Sequence, residues 1–376
     1  MERALARSRE GQPEPRTVAR PKGRPIRLMI VDDSTVARAV LTRMIETDPD
    51  FEIVAVASSG EAAIEALGEC RVDIVLLDLE MPGAGGLKSI PRIIGAAAGA
   101  KVMIVSSLAE EGAEQTVAAL SLGAADTLPK PGTGRFNGKF SEVLLSKLKA
   151  LGHASELIST QFQSTASNHP IILRRMPMDP ITVLAIGAST GGIHAIGTLF
   201  QALPDRIGVP ILITQHLPIP FMSVFARQIG AIAKRDAVVA EDGMELVADR
   251  ILLAPGDAHL TLEPTRKGVI VRLTHARGTS GCMPSVDPML ASAGAVFGAG
   301  ALGVVLTGMG RDGVEGAARM VACGGSVIAQ NQASCAVWGM PRAVVEAGLA
   351  CATLPPDKIA RRILSRIEEP PRADKR

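Results

Sequence analysis

The chain of 376 residues has no tyrosine, one tryptophan and eight phenylalanines. So few rings leave nothing on which successive bases can stack, which excludes the usual platform for single-stranded nucleic acid. Charge of one sign is also missing. Forty Lys and Arg face 38 Asp and Glu, a net of +2, too balanced for a dedicated nucleic-acid binder. Cysteine is scarce and scattered, with Cys70, Cys282, Cys323, Cys335 and Cys351 forming no CxxC pair. That spacing argues against a disulfide framework or a zinc site and suits a reducing cytoplasm. Long apolar runs are absent as well. Pro288 to Gly310 carries no charge and reaches the length of a membrane helix, but six glycines from Gly294 to Gly310 punctuate it. A short helix, a glycine turn and a buried strand Ala301–Thr307 fit it better, so no membrane insertion is expected. Residues 1–25 hold seven Arg or Lys, three Glu and four prolines without the apolar core of a signal peptide. They read as a disordered basic tail.

What is present is regular. From Ile26 short Val/Ile/Leu runs alternate with amphipathic segments such as Thr35–Thr47 and Gly60–Gly68. The runs IRLMIVDDS, FEIVAVAS, VDIVLLDLE, KVMIVSSL and ADTLPKPG read as five strands of a parallel, doubly wound α/β sheet ending near Ala150. Residues 151–179, polar and weakly patterned, read as a linker. A second α/β unit follows over 180–370, with strands in ITVLAIGAST, VPILITQHLP, ALGVVLTGMG and GSVIAQ and a β-hairpin expected from Arg250 to Thr274.

Functional side chains collect at the carboxyl ends of strands in an open parallel sheet. In the first unit Asp32 and Asp33 follow strand one, Asp78 ends strand three, Ser106 ends strand four and Lys130 follows strand five. Each Asp is also a plain helix N-cap residue, but five such positions at successive strand ends form a set. Three carboxylates at one edge repel one another unless a cation joins them. An all-oxygen donor set points to Mg²⁺ shared with a phosphate. Asp78 is then the carboxylate that accepts a phosphoryl group, with Lys130 and the Ser106 hydroxyl suited to the new phosphate oxygens.

The motifs VDDS, LLDLEMP, VSSL and LPKPG, in this order, resemble the receiver domain of two-component response regulators. The resemblance implies a flavodoxin-like fold with Asp78 phosphorylated by a histidine kinase. It further implies Asp33, Asp78 and the Glu80 carbonyl on Mg²⁺, Asp32 reaching the ion through water, and Ser106 as the switch hydroxyl. Gly83-Ala84-Gly85-Gly86 departs from the family, which commonly has a bulky residue and Asp before the glycine.

In the second unit Gly187-Ala188-Ser189-Thr190-Gly191 satisfies G-x-S-x-G, a strand-to-helix turn that exposes a nucleophilic serine. A glycine turn there also binds phosphate and opens dinucleotide-binding units. A short-chain dehydrogenase, however, needs a catalytic tyrosine. A serine hydrolase needs a histidine and a carboxylate, and His216 and Asp312 stand after neighbouring strands. His194, His259 and His275 have no such placing.

IGASTGG, QHLP, LAPGDAHL, PSVD, LTGMGRDG and WGMPRA together resemble the catalytic domain of the chemotaxis protein-glutamate methylesterases. The resemblance implies a Rossmann-like domain with Ser189 as nucleophile, His216 as general base and Asp312 orienting the histidine. Thr190 would line the site and the Met309 N–H would serve the oxyanion. No cofactor is implied for the ester chemistry. The implied activity is removal of methyl esters from receptor glutamates, releasing methanol, with deamidation of receptor glutamines beside it. The implied setting is cytoplasmic, with methyl-accepting chemoreceptors as substrate. The implied control is an unphosphorylated receiver covering the site. A non-catalytic, phosphorylation-gated binding module of the same fold is the alternative.

Overall fold

The computed structural model describes residues 24–82, 85–97, 99–106, 110–130, 138–160 and 173–367. The basic tail expected over 1–25 lies outside them except for its last two residues, as do Gly83 and Ala84 of the departing loop and 161–172 of the expected linker. Strands β1 (Ile26–Val31), β2 (Phe51–Ala57), β3 (Ile74–Leu77), β4 (Lys101–Ser106) and β5 (Asp126–Pro129) form a parallel sheet in the order β2-β1-β3-β4-β5. Helices α1 (Thr35–Ile45), α2 (Gly60–Glu69), α3 (Gly85–Ala96), α4 (Glu110–Ser121) and α5 (Gly138–Thr160) cover it. Every residue of β1 and β3 is buried, which is why these strands read as nearly continuous apolar runs, broken only by Arg27, which pairs with Asp73. Ser34 and Ser59 cap α1 and α2, each accepting a backbone N–H three residues on.

The first unit ends later than Ala150. Helix α5 continues to Thr160, carried over the expected boundary by the buried row Leu144, Leu148 and Leu151. Beyond 172 the expected linker is already part of the second unit: the Arg174 N–H donates to the Ala350 carbonyl at 2.9 Å, and Met176 packs on the core.

The second unit opens with β6 (Val183–Ala188), α6 (Gly192–Gln201), β7 (Ile211–Gln215), α7 (Ile219–Ala233), β8 (Ala237–Val239) and β9 (Ile251–Leu253). It continues through β10 (His259–Thr265), β11 (Gly268–Thr274), α8 (Val286–Phe297), β12 (Ala301–Val305) and α9 (Val314–Ala322). It closes with β13 (Ser326–Gln330), α10 (Met340–Glu346), β14 (Ala352–Leu354) and α11 (Pro356–Leu364). Seven strands make one parallel sheet in the order β14-β13-β12-β6-β7-β9-β8. The hairpin is shorter than Arg250–Thr274. Only β10 and β11 pair antiparallel, as a separate ribbon, because Ile251–Leu253 are fully buried and pair in parallel with β7 before Pro255 and Gly256 end the strand. Pro288 to Gly310 splits as expected into the end of α8, a glycine turn and strand β12. Among the described residues no helix is long and apolar enough to cross a membrane.

The chain leaves β6 toward β7 on one side and returns to β12 on the other. The crevice beyond the carboxyl end of β6 is therefore the switch point of the sheet, where open α/β folds bind ligands.

Candidate functional site

At the carboxyl edge of the first sheet, Asp32 and Asp78 are 1% and 3% exposed while Asp33 faces solvent. Oxygens of all three lie within 4.8 Å of one another. Lys130 bridges the buried pair, with its Nζ 3.0 Å from Asp32 Oδ2 and 2.8 Å from Asp78 Oδ2. Burial pushes the Asp78 carboxyl above its ordinary range against the pull of Lys130. Burial also opposes the Lys130 charge, but the two carboxylates outweigh it and raise its pKa. The cluster thus has two buried carboxylates, an exposed third and a single ammonium, a donor set that fits a hard, partly hydrated divalent cation. Ser106 is fully buried, its Oγ 2.6 Å from Thr116 Oγ1 on α4. Gly86 must be glycine, because any Cβ there would collide with the Asp78 carbonyl.

The second sheet builds its site by the same logic. Strand β6 ends one residue before Ser189, and Gly191 turns the chain into α6 at φ +76°, a left-handed value that glycine takes without strain. Strand β7 ends one residue before His216, whose N–H donates to the Ala188 carbonyl at 3.1 Å. Asp312 lies in the loop between β12 and α9, 2% exposed. His216 Nε2 lies 2.8 Å from Asp312 Oδ2. Because Nε2 donates its hydrogen to the carboxylate, Nδ1 is the nitrogen available to take a proton. Ser189 and His216 line the same cleft, of about 230 Å³. His216 thus bonds Asp312 and shares the cleft with Ser189.

Asp312 is held from three sides. Besides His216, Ser285 Oγ donates to Oδ1 at 2.6 Å and the Val286 N–H to Oδ2 at 2.7 Å. Burial by itself would push this carboxyl up, but the three donors overrule it and hold it far below the usual carboxylate range. The remaining histidines also find their places. His259 is 1% exposed, accepting the Ser285 N–H on Nδ1 at 2.9 Å and pointing Nε2 at the Ala276 carbonyl at 2.8 Å. It stands behind Ser285, and so behind Asp312. His194 and His275 are exposed and bond backbone carbonyls.

Three supports escaped the sequence reading. Gln215 Nε2 donates to the Ser189 carbonyl at 2.9 Å, and Thr307 Oγ1 to the Thr190 carbonyl at 2.9 Å. Backbone N–H groups of Gly339 and Met340 bond the Gly308 carbonyl at 3.1 and 2.9 Å, so the WGMPRA segment braces the LTGMGRDG loop. A Cβ on Gly308 would stand 2.7 Å from Ser189 Cβ, so the Gly308–Met309 segment passes close to Ser189. Among the described residues, the Thr190 and Met309 N–H groups have no acceptor.

Asp287, next to this cluster, accepts the Gly316 N–H at 2.7 Å. Burial and the neighbouring charges of Asp312 and Glu315 push its carboxyl up to about 6. A folded value above the ordinary 3.8 means a stability contribution complete below about pH 4 and lost as pH rises through 6. Such a displacement is worth about 3 kcal/mol in a fully buried group, and solvent screening of this half-buried one reduces it to about 1 kcal/mol. Urea unfolding of Asp287→Asn should therefore show a gain over wild type at pH 8 that is absent at pH 4. An equal difference at both values would remove Asp287 as the source.

The first unit lies across the second. Helix α4 packs on α6 and α7. Thr190 Oγ1 donates to Asp126 Oδ2 at 2.6 Å, and Lys147 on α5 pairs with the same oxygen at 2.7 Å. The Gly191 N–H donates to the Ala125 carbonyl at 2.6 Å. The Ser189 cleft is walled on one side by Leu120, Asp126, Thr127 and Val143 of the first unit.

With that geometry in place, the comparisons with known proteins are specific. The family model described as CheB methylesterase matches residues 184–363, and that of the response regulator receiver domain matches 28–135. The chain is 37% identical over 359 residues to the protein-glutamate methylesterase/protein-glutamine glutaminase 1 of Paramagnetospirillum magneticum, covering 89% of this chain and 94% of that protein. It is 38% identical to the corresponding protein of Azospirillum brasilense, covering 89% of this chain and 90% of the other. The crystal structure of the Thermotoga maritima CheB methylesterase catalytic domain is 34% identical, with a TM-score of 0.48, covering 49% of this chain and 98% of that one.

Proposed function

The chain belongs to the protein-glutamate methylesterase/protein-glutamine glutaminase family, and from that premise we propose that Ser189, His216 and Asp312 are its catalytic triad under the control of Asp78. The enzyme is a hydrolase joined to a response-regulator receiver, a two-component signalling architecture serving chemotaxis. The observation that carries the site assignment is the His216–Asp312 hydrogen bond of 2.8 Å beside a serine in the same cleft.

His216 Nδ1 takes the Ser189 proton as Oγ attacks the ester carbonyl of a methylated glutamate. Asp312 holds Nε2–H and stabilises the imidazolium. The Thr190 and Met309 N–H groups stabilise the oxyanion, each worth about 3–4 kcal/mol in a water-poor site. The imidazolium protonates the departing methoxide, methanol leaves, and water then frees the glutamate by the reverse path. An amide follows the same route and releases ammonia. The substrate is a methyl-accepting chemoreceptor and the setting cytoplasmic.

In the receiver, Asp78 Oδ accepts a phosphoryl group from a histidine kinase. Asp33, Asp78 and the Glu80 carbonyl are the residues that would hold Mg²⁺, with Asp32 at one remove. Bound there, the ion supplies positive charge to the phosphoryl oxygens. From the protein side Lys130 adds a second positive charge and the Ser106 hydroxyl a hydrogen bond. The ester chemistry calls on the triad and the two oxyanion donors.

A fluorophosphonate probe tests the assignment. Ser189 should be labelled in the wild-type chain, and labelling should fall at least a hundredfold in His216→Ala. Labelling of another serine, or labelling indifferent to His216, would leave a binding module with an esterase fold.

A further inference from the structure

Cys282 takes no part in the ester chemistry, yet it stands beside it. One nitrogen of His216, the Cys282 Sγ and one oxygen of Asp312 all lie within 4.8 Å of one another. The three come from separate segments: the end of β7, the loop before α8 and the loop before α9. The thiol is half-buried, and its hydrogen bond to the Ser280 carbonyl is a long one, at 3.9 Å. No CxxC spacing announces this set, because the fold and not the local sequence assembles it.

Thiolate, imidazole and carboxylate together are the ligands of a borderline-soft divalent cation. Three protein ligands leave a fourth position for water. The contrast with the all-oxygen cluster at Asp78, suited to a hard cation, is chemical and not positional. We propose that His216, Cys282 and Asp312 form an inhibitory binding site for zinc. Ligands about 2.0–2.3 Å from zinc stand about 3.3–3.8 Å from one another. Gathering these three needs movements of about an ångström, and Gly281, at φ +70°, sits directly before the thiol. On binding, the thiol proton passes to the buffer and Zn–S, Zn–N and Zn–O bonds form. If zinc takes Nε2, the hydrogen bond to Asp312 Oδ2 breaks and the Nε2 hydrogen moves through solvent to Nδ1, filling the lone pair that would accept the Ser189 proton; if zinc takes Nδ1, it occupies that lone pair directly. Nothing is oxidised or reduced. That the site inhibits rests on the triad proposed above; that it binds does not.

The full-length chain, stripped with chelator, is titrated with Co²⁺ and the thiolate-to-cobalt charge-transfer band recorded, followed by displacement with Zn²⁺. Wild type should bind one ion with that band. Cys282→Ser, and independently Cys282→Ala, should lose the band and weaken zinc binding at least tenfold. In parallel, the zinc concentration that half-inhibits methanol release should rise at least tenfold in both variants, and chelator should restore wild-type activity. A band retained in both variants, or zinc inhibition unchanged in them, overturns the proposal. The cobalt spectrum reads the site even in a chain with no esterase activity, so failure of the site and failure of the esterase reading are told apart.

Discussion

Ser189→Ala should reduce methanol release from a methylated chemoreceptor by about four to six orders of magnitude, to the background of binding and oxyanion stabilisation alone. The loss is this large because, in the proposed triad, the hydroxyl is the atom that bonds to the substrate. Gln215, the nearest polar group holding the turn, presents an amide to the Ser189 carbonyl and no nucleophile. Fold and domain contacts should survive, since the Ser189 main chain, held by Thr307 and Gln215, is untouched. Asp312→Ala should cost less, about four orders, because it orients and does not react. Release from Ser189→Ala at a tenth or more of the wild-type rate would end the assignment.

The second large effect lies at the domain boundary. Asp126→Ala should raise the basal rate about tenfold without any phosphodonor. One carboxylate oxygen takes both the Thr190 hydroxyl and the Lys147 ammonium, at 2.6 and 2.7 Å, and Thr190 is the residue after the nucleophile. Charge-assisted bonds of this kind contribute about 1.5–3 kcal/mol, and a tenfold shift from covered to open needs only about 1.4 kcal/mol. Phosphorylation can activate only by weakening the covered state relative to the open one. Asp78→Asn should therefore keep the low basal rate and ignore acetyl phosphate, while Asp126→Ala starts high and gains little from it. A basal rate in Asp126→Ala equal to wild type, with full activation remaining, would mean that this contact does not hold the cover.

Much of this arrangement was legible because parallel sheets put chemistry at strand ends. The buried runs before Asp32, Asp78, Ser189 and His216 locate those residues without any knowledge of loops. What was not legible depends on distance along the chain. Ser285 and His259 fix Asp312 from 27 and 53 residues away, through hydrogen bonds that leave no periodicity. The strands Ala237–Val239 and Ala352–Leu354 are too short to show a period at all. The first unit outran its expected end near Ala150 because the buried row Leu144, Leu148 and Leu151 carries helix α5 past it. Cys282 was set aside on spacing, a criterion that sees only ligands close in sequence.

Within the receiver sheet, Lys130, paired with Asp78, stands at one end of β5, and Ala125 and Asp126, which grip Thr190 and Gly191, stand at the other. Four steps of extended chain separate Asp126 from Lys130 by about 13 Å, beyond direct contact between the phosphoryl oxygens and the Thr190 side. News of phosphorylation then travels as displacement, through a strand and a helix acting as push-rods. A receiver built this way is able to lose its transmission while keeping its trigger. A lesion at Thr116, bonded to Ser106 on the way from trigger to contact, would yield a chain that charges normally with phosphate and never releases the enzyme.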